Sequence, residues 1–194
     1  MDATVEQMDG YRFVYCLPIS PMEVFVEDTY YSDTSDLDTQ KLSARISAYA
    51  DAKGWQIEGV SRTETGALPV FYGVYFGGYW QSTGGDVAKA GTRAALFHGL
   101  TGYSLPDAVR LAAHIAEMPD LSGAALAEMS RKTSLDHWQA DGFYRMLTKM
   151  LFKAAGPDER YRVLERFYTL PDALIARFYA GKSTFMDKAR VLAG

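Results

Sequence analysis

Apolar and polar positions alternate along YRFVYCL at 11–17, with Tyr11, Phe13 and Tyr15 on one side and Arg12, Val14 and Cys16 on the other. A period of two in aromatic and β-branched residues predicts a strand. Pro18 and Pro21 punctuate a turn, and EVFVEDTYY at 23–31 predicts a second strand, so the pair reads as an antiparallel hairpin. Asp36 or Asp38 is placed to cap a helix over 39–53, with Leu42, Ile46, Tyr49 and Ala50 along one side and Gly54 at its stop. WQIEGVSRTE at 55–64 alternates again and predicts a third strand. From Pro69 to about residue 92 aromatics and glycines mix without a period, and no element is predicted there.

After that stretch the period lengthens. TGYSLPDAVRLAAHIAEM at 101–118 has Thr101 or Ser104 as caps, Pro106 in the first turn, and Leu111 and Ile115 four apart, which predicts a helix. Further helices are predicted over 123–155, 157–168 and 171–180, with Pro157 and Pro171 in first turns. Strands followed by helices make an α+β pattern. The reading is a single unit: a strand-rich part at 1–92, a loop and helix at 93–118, and a helical part at 119–194.

Composition narrows the function classes. The 194 residues suffice for one substantial core. Twenty Lys and Arg against 24 Asp and Glu leave a net charge of −4, the wrong sign for a protein that neutralises phosphates, so nucleic acid is not an expected partner. One cysteine, Cys16, forms neither an internal disulfide nor a Cys-based zinc site. Asparagine is absent, so no N-glycosylation acceptor exists. The opening MDATVEQMDG is acidic rather than basic-then-apolar, and no apolar run approaches the ~18 residues of a spanning helix, which predicts a soluble or peripheral protein. The tail is locally basic: from Asp141 onward ten Lys and Arg face six Asp and Glu.

Most motifs with chemistry attached fall away on inspection. FYAGKST at 178–184 resembles a phosphate loop, but Ala176 stands where that pattern needs glycine, and a helix precedes it. No GxGxxG and no GxSxG occur, and His98, His114 and His137 are too dispersed for a compact metal motif, so no metal site is expected. Glu27 lies on the second strand with Phe25 and Thr29 on its face. A carboxyl dehydrated among aromatics has a raised pKa and serves as a general acid; the plain alternative is a carboxyl facing water on a half-buried sheet. FHGLTGYSLPDA at 97–108 sets a glycine turn before a helix start, where unpaired amides and the helix dipole attract anions. FYRMLTKMLFKAAG at 143–156 spaces Arg145, Lys149 and Lys153 four apart beside an apolar face, a pattern of membrane interfaces and equally of a helix packed on a core with a solvated edge.

Taken together, MDATV, YRFVYCLP, VEDTYYSD, GALP, HGLTGYSLPDAVRLA, FYRMLTKMLF and ERYRVLERFYTLPDALIARFYAG resemble the bacterial lycopene β-cyclase family, in order along essentially the whole chain. The resemblance implies a flavoprotein in which an FAD-binding Rossmann-like fold is combined with a substrate domain. The family's dinucleotide fingerprint lies well upstream and is missing here, so the chain is expected to be a C-terminal portion, truncated in front and slightly behind. The acidic position of the family's V-E-D-T motif, implicated in acid–base catalysis, corresponds to Glu27; Asp28 adjoins it on the opposite strand face. The family's H-P-T-T-G-Y segment, which lies against FAD, corresponds to His98, Thr101, Gly102 and Tyr103, with Gly99 and Leu100 replacing Pro and Thr.

The implied reaction cyclises the ends of lycopene, and of related acyclic carotenoids, to β-ionone rings without net redox change. A proton reaches a terminal double bond, an internal alkene attacks the tertiary cation, and a proton departs; aromatic faces stabilise the charge, and the resemblance implies reduced FAD (NAD(P)H its reductant) as electrostatic support or as a proton carrier. A polyene substrate resides in a bilayer, so the implied location is a bacterial cytoplasmic protein peripherally bound to membrane, with Arg145, Lys149 and Lys153 as candidate contacts. Two other readings stay open: a related flavoprotein oxidoreductase of polyprenyl or carotenoid chains, and an inert fragment that binds membrane or a partner chain. The isolated chain is expected to be inactive and to retain little flavin.

Overall fold

In a computed structural model that describes residues 1–8, 10–71, 73–154, 156 and 159–193, the two alternating segments at the front pair as a hairpin. Strand β1 (Arg12–Ser20) runs antiparallel to β2 (Glu23–Tyr30), with Val14 opposite Asp28, Tyr15 opposite Glu27, and an irregularity between Pro18 and Ser20 near the turn. The N-terminal segment adds one bridge, Asp2 exchanging backbone bonds of 2.8 and 2.9 Å with Val14. The end of the ribbon around Tyr11, Phe13 and Val14 is buried, whereas its tip is open, Met22 being 88% exposed.

The chain divides into two compact units, one comprising Met1–Ala67 with Ala154–Glu165 and the other Leu68–Lys153 with Arg166–Gly194. In the first, helix α1 (Thr39–Ala52) packs against β2. Asp38 is its cap, accepting from the Lys41 amide at 3.0 Å, and Gly54 takes a positive φ of 73° just past its end, as the sequence pattern predicts. Tyr49 donates to Asp2 at 2.9 Å, and the side chain of Trp55 lies beside Tyr49.

The second unit is helical, and its polar contacts supply the site described below. It contains α2 (Phe76–Ser82), a 3-10 turn (Gly91–Ala94), α3 (Leu105–Ala116), α4 (Gly123–Ala140), most of α5 (Gly142–Ala154), α7 (Asp172–Tyr179) and α8 (Phe185–Ala193). Helix α6 (Arg160–Phe167) begins in the first unit and ends in the second. Two apolar clusters form the interior: Trp80, Ala94, Leu96 and Leu111, and then Phe71, Ala95 and Phe97 with Tyr79 and Trp138 against them. Lys89 is buried here, its ammonium 3.8 Å from the Trp80 ring centre and bonded to the Trp80 carbonyl and to Thr83. Burial lowers its pKa.

Two strands and eight α-helices among the described residues make the fold α+β, as expected. The third strand expected at 55–64 does not form; every residue of that stretch is exposed and irregular. Alternation alone builds no strand without a ladder partner, and Gly59 weakens the run from within. The helix expected over 123–155 breaks at Asp141 into α4 and α5, with Asp141 acting as the turn and Gly142 following. The unassigned stretch before residue 92 holds α2. Pro157 lies outside the described residues. At the end of the chain a further helix, α8, forms where the sequence pattern predicts none. Its start is a capping box in which the Thr184 amide donates to Asp187 at 2.9 Å and the Asp187 amide to Thr184 Oγ1 at 3.1 Å, with Arg177 bound to both Asp187 oxygens at 2.7 Å.

Candidate functional site

Residues 97–103 connect the apolar clusters to the start of α3, and they form a closed turn. The His98 amide donates to the Tyr103 carbonyl at 2.9 Å, and the Gly102 amide donates to the His98 carbonyl at 2.9 Å. Gly102 has φ +70°, the left-handed value at which glycine costs nothing. His98 is 3% exposed, and its Nδ1 accepts from the Leu100 and Thr101 amides at 3.2 and 3.3 Å. An imidazole accepting at Nδ1 carries its proton on Nε2. That Nε2–H is buried without a hydrogen-bond partner of full geometry, although the Phe178 carbonyl contributes favourably nearby. Burial pulls the His98 pKa down to about 4, so the ring is neutral at pH 7. Its faces are covered by Tyr144 and Phe178, with ring centres 4.2 and 5.0 Å away.

Helices α3, α4 and α5 hold the same turn from the other side. His137 Nε2 donates to the Phe97 carbonyl at 3.0 Å while its Nδ1 lies 3.3 Å from Asp107, which also receives Arg110 at 2.8 Å. Burial alone would lower the His137 pKa, but Asp107 and the Phe97 carbonyl outweigh it and the pKa rises. Burial likewise works to raise Asp107, and His137 with Arg110 hold it below the usual carboxylate value. Asp141 accepts the Gly99 amide at 3.1 Å, and Thr148 donates to the Gly99 carbonyl at 2.7 Å. Burial raises the Asp141 pKa to about 6, against the pull of the Gly99 amide, His137 and Arg145. A cavity of about 300 Å³ opens beside this assembly, lined among others by His98, Asp107, His137, Asp141 and Tyr179.

The structure separates the two acidic neighbours on β2. Asp28 is closed off, its carboxylate gripped by Arg12 Nε and Nη2 at 2.9 Å each, with side chains 1% and 6% exposed. Glu27 points the other way, is exposed, and accepts from Thr29 Oγ1 at 2.6 Å. The expected dehydrated carboxyl among aromatics is therefore not what this chain alone provides, because the outer face of a two-stranded ribbon has nothing laid over it at that position.

Other expectations are also redrawn. The amides of residues 99–103 are taken up by Asp141, His98 and Thr101, so the turn offers no row of free donors to an anion. Arg145 does not share a solvated stripe with Lys149 and Lys153. Its guanidinium lies 4.1 Å from the Trp138 ring centre, bonds the Trp138 carbonyl, and reaches Asp141 at 3.4 Å. Lys149 and Lys153 are exposed, and the exposed apolar residues beside them are Met146 and Met150. Among the described residues no group of His, Cys, Asp or Glu is arranged to hold a metal ion, and no helix is long and apolar enough to cross a membrane.

A family model described as lycopene cyclase protein matches residues 1–194. The chain belongs to the lycopene cyclase family. It is 45% identical over 194 residues to a lycopene beta-cyclase of Pantoea ananas, and 45% over 194 residues to one of Pseudescherichia vulneris, covering 100% of this chain and 50% of each relative. A lycopene beta-cyclase of a Paracoccus species is 43% identical over 195 residues with the same coverage. The chain thus spans about half the length of the curated relatives it matches. No solved structure matches it.

Within this cyclase-family chain, sequence reasoning pointed to His98, Thr101, Gly102 and Tyr103, which the structure gathers into one turn with Tyr103 42% exposed. It missed Asp107, His137, Asp141 and Thr148. Three of these stand at 137, 141 and 148, on the helical repeat that also includes Arg145, and a polar stripe on the inward side of a helix pair was the available signal. Gly99 explains one departure from the family pattern. A Cβ there would overlap Asp141 Oδ2 and lie 2.9 Å from Arg145 Cγ, and its amide is needed as a donor, so proline at this position is incompatible with the Asp141 contact.

Proposed function

We propose that the protein works in the cyclisation of lycopene and related acyclic carotenoids to β-ionone rings, giving γ- and β-carotene. The observation that carries this reading is 45% identity, sustained over all 194 residues, to lycopene beta-cyclases. Glu27 is the proposed acid. Its carboxyl transfers a proton to the terminal double bond, the internal alkene closes on the tertiary cation, and the same carboxylate recovers a proton from the ring, so no electrons enter or leave. The contrast on β2 supports the choice: Asp28 is consumed by Arg12, while Glu27 has an open carboxyl held by one hydroxyl. General acids of this kind contribute on the order of 10²–10⁴ in rate.

FAD is the proposed cofactor, within a Rossmann-like flavoprotein fold, and NAD(P)H its reductant. The residues fit one wall of such a site. Gly102 has open space above it with only Leu68 Cδ1 at 4.0 Å, and the Tyr103 ring is partly exposed. When bound in its reduced form, flavin supplies electron density that favours a nearby carbocation. His98, Thr101, Gly102 and Tyr103 would orient and shield that group. We place the protein at the cytoplasmic face of a bacterial membrane, where Lys149 and Lys153 beside Met146 and Met150 suit anionic lipid better than Arg145 does.

Expression of the full-length protein and its Glu27→Gln variant in lycopene-accumulating cells tests the reading. β-Carotene from the parent and at least a hundredfold less from the variant is expected. Undiminished β-carotene from the variant removes Glu27 as the acid, and bleaching of lycopene without ring formation points to the oxidoreductase instead.

A further inference from the structure

We infer that Asp141, Thr148 and the Asp107–His137 pair are positioning residues, gripping the backbone at Phe97 and Gly99 so that the His98 imidazole is held as one tautomer in one orientation. The inference rests on the proposed function only in taking flavin as what the turn meets.

The backbone at residues 97–100 is buried, so its peptide groups need partners within the protein, and side chains supply them where no helix or strand does. Here the Phe97 carbonyl, the Gly99 amide and the Gly99 carbonyl each receive a different side chain, from positions 137, 141 and 148. Those side chains are largely removed from solvent: Thr148 is fully buried, and Asp107 and Asp141 are nearly so. Burying two carboxylates and an imidazole under a turn costs desolvation that an apolar packing would avoid, so their bonds hold the peptides where apolar contact would let them slide. Backbone and helix are in direct contact at Gly99, where no side chain fits. Arg145 is in turn immobilised across Trp138 and steadies Asp141.

The chemistry passes from that grip to His98. The Leu100 and Thr101 amides both aim at Nδ1, and they follow directly on the clamped Gly99 peptide. While the peptide is held, Nδ1 stays an acceptor and the proton stays on Nε2. A peptide released at Gly99 carries both amides away from Nδ1, and the imidazole then samples either tautomer.

The test uses full-length protein with ¹⁵N-labelled histidine, the nitrogen shifts of His98 reporting its tautomer and amide hydrogen exchange reporting residues 99–102. Thr148→Val removes the hydroxyl at constant shape, and Thr148→Ser keeps it. In Thr148→Val we expect a mixed His98 tautomer and at least tenfold faster exchange at Gly99, Leu100 and Thr101, both restored toward the parent in Thr148→Ser. Asp107→Asn, which slackens His137, gives the same direction and serves if Thr148→Val does not fold. An unchanged tautomer and unchanged exchange in both variants overturns the clamp. A shifted tautomer with flavin retention and flavin spectrum as in the parent upholds the clamp and removes the turn as the cofactor contact.

Discussion

Replacing Gly99 and Gly102 by alanine, one at a time, separates two reasons for glycine in one turn. At Gly102 the space is open and only the positive φ resists, so alanine pays the left-handed penalty of about 1–2 kcal/mol, partly offset by a stiffer unfolded chain; a net loss of about 1 kcal/mol is expected. At Gly99 the obstacle is steric. The added carbon displaces Asp141, which leaves the Gly99 amide without its charged acceptor and Arg145 without its partner. Loss of a hydrogen bond to a charged group is worth about 1.5–3 kcal/mol, and the disturbed ion pair brings the total to about 2–4 kcal/mol. Urea unfolding followed by circular dichroism, with the slope held common, measures both. In an Asp141→Ala background the carboxylate overlap is gone and the 2.9 Å approach to Arg145 Cγ remains, so Gly99→Ala should cost about 1–2 kcal/mol less there than in the parent. A Gly99→Ala variant no less stable than Gly102→Ala, or a coupling near zero, refutes the reasoning.

Other outcomes follow from the same contacts. Asp28→Ala leaves the Arg12 charge buried and unpaired and should cost about 3–5 kcal/mol in the same assay, whereas Glu27→Gln should shift the melting temperature little. The pH dependence combines opposite signs. The neutral His98 has a lowered pKa, about 4, so its contribution is lost as pH falls from about 6.5 toward 4; Asp141 has a raised pKa, about 6, so its contribution is lost as pH rises from about 4 to 6. The two nearly cancel, with His137 acting above this window and Asp107 below it, so the parent should be nearly flat over pH 4–6.5. Asp141→Asn should instead gain up to roughly 3 kcal/mol with rising pH, and a flat Asp141→Asn profile in urea titrations would contradict the assignment. In vesicle flotation with anionic lipid, Lys149→Glu with Lys153→Glu should reduce binding, while Arg145→Glu should mainly lower stability, because its guanidinium faces Trp138 and Asp141.

What could be read from residue order was whatever depended on near neighbours. The hairpin, the Asp38 cap and the start of α3 came from alternation, a capping residue and a proline within a few positions of one another. The 55–64 stretch failed because a strand is a property of two segments, and its alternation says nothing about whether an edge is waiting for it. The break at Asp141 was concealed by good helix formers on both sides, and it matters because the residue that ends α4 is also the one that reaches Gly99. Arg145 was assigned to the wrong stripe for a related reason. It is four residues from both Asp141 and Lys149, and only packing decides which neighbour it joins. Asp107 and His137 are thirty positions apart, and no local pattern links them.

The three tryptophans are distributed so that light can report on each unit separately. Trp55 belongs to the first unit and is in partial contact with water, which relaxes around an excited indole and reddens its emission. Trp80 and Trp138 belong to the second, beneath the Lys89 ammonium and the Arg145 guanidinium, where solvent relaxation is restricted and emission stays blue. With Trp55 replaced by phenylalanine, loss of the blue band during denaturation becomes a label-free record of when the helical unit comes apart.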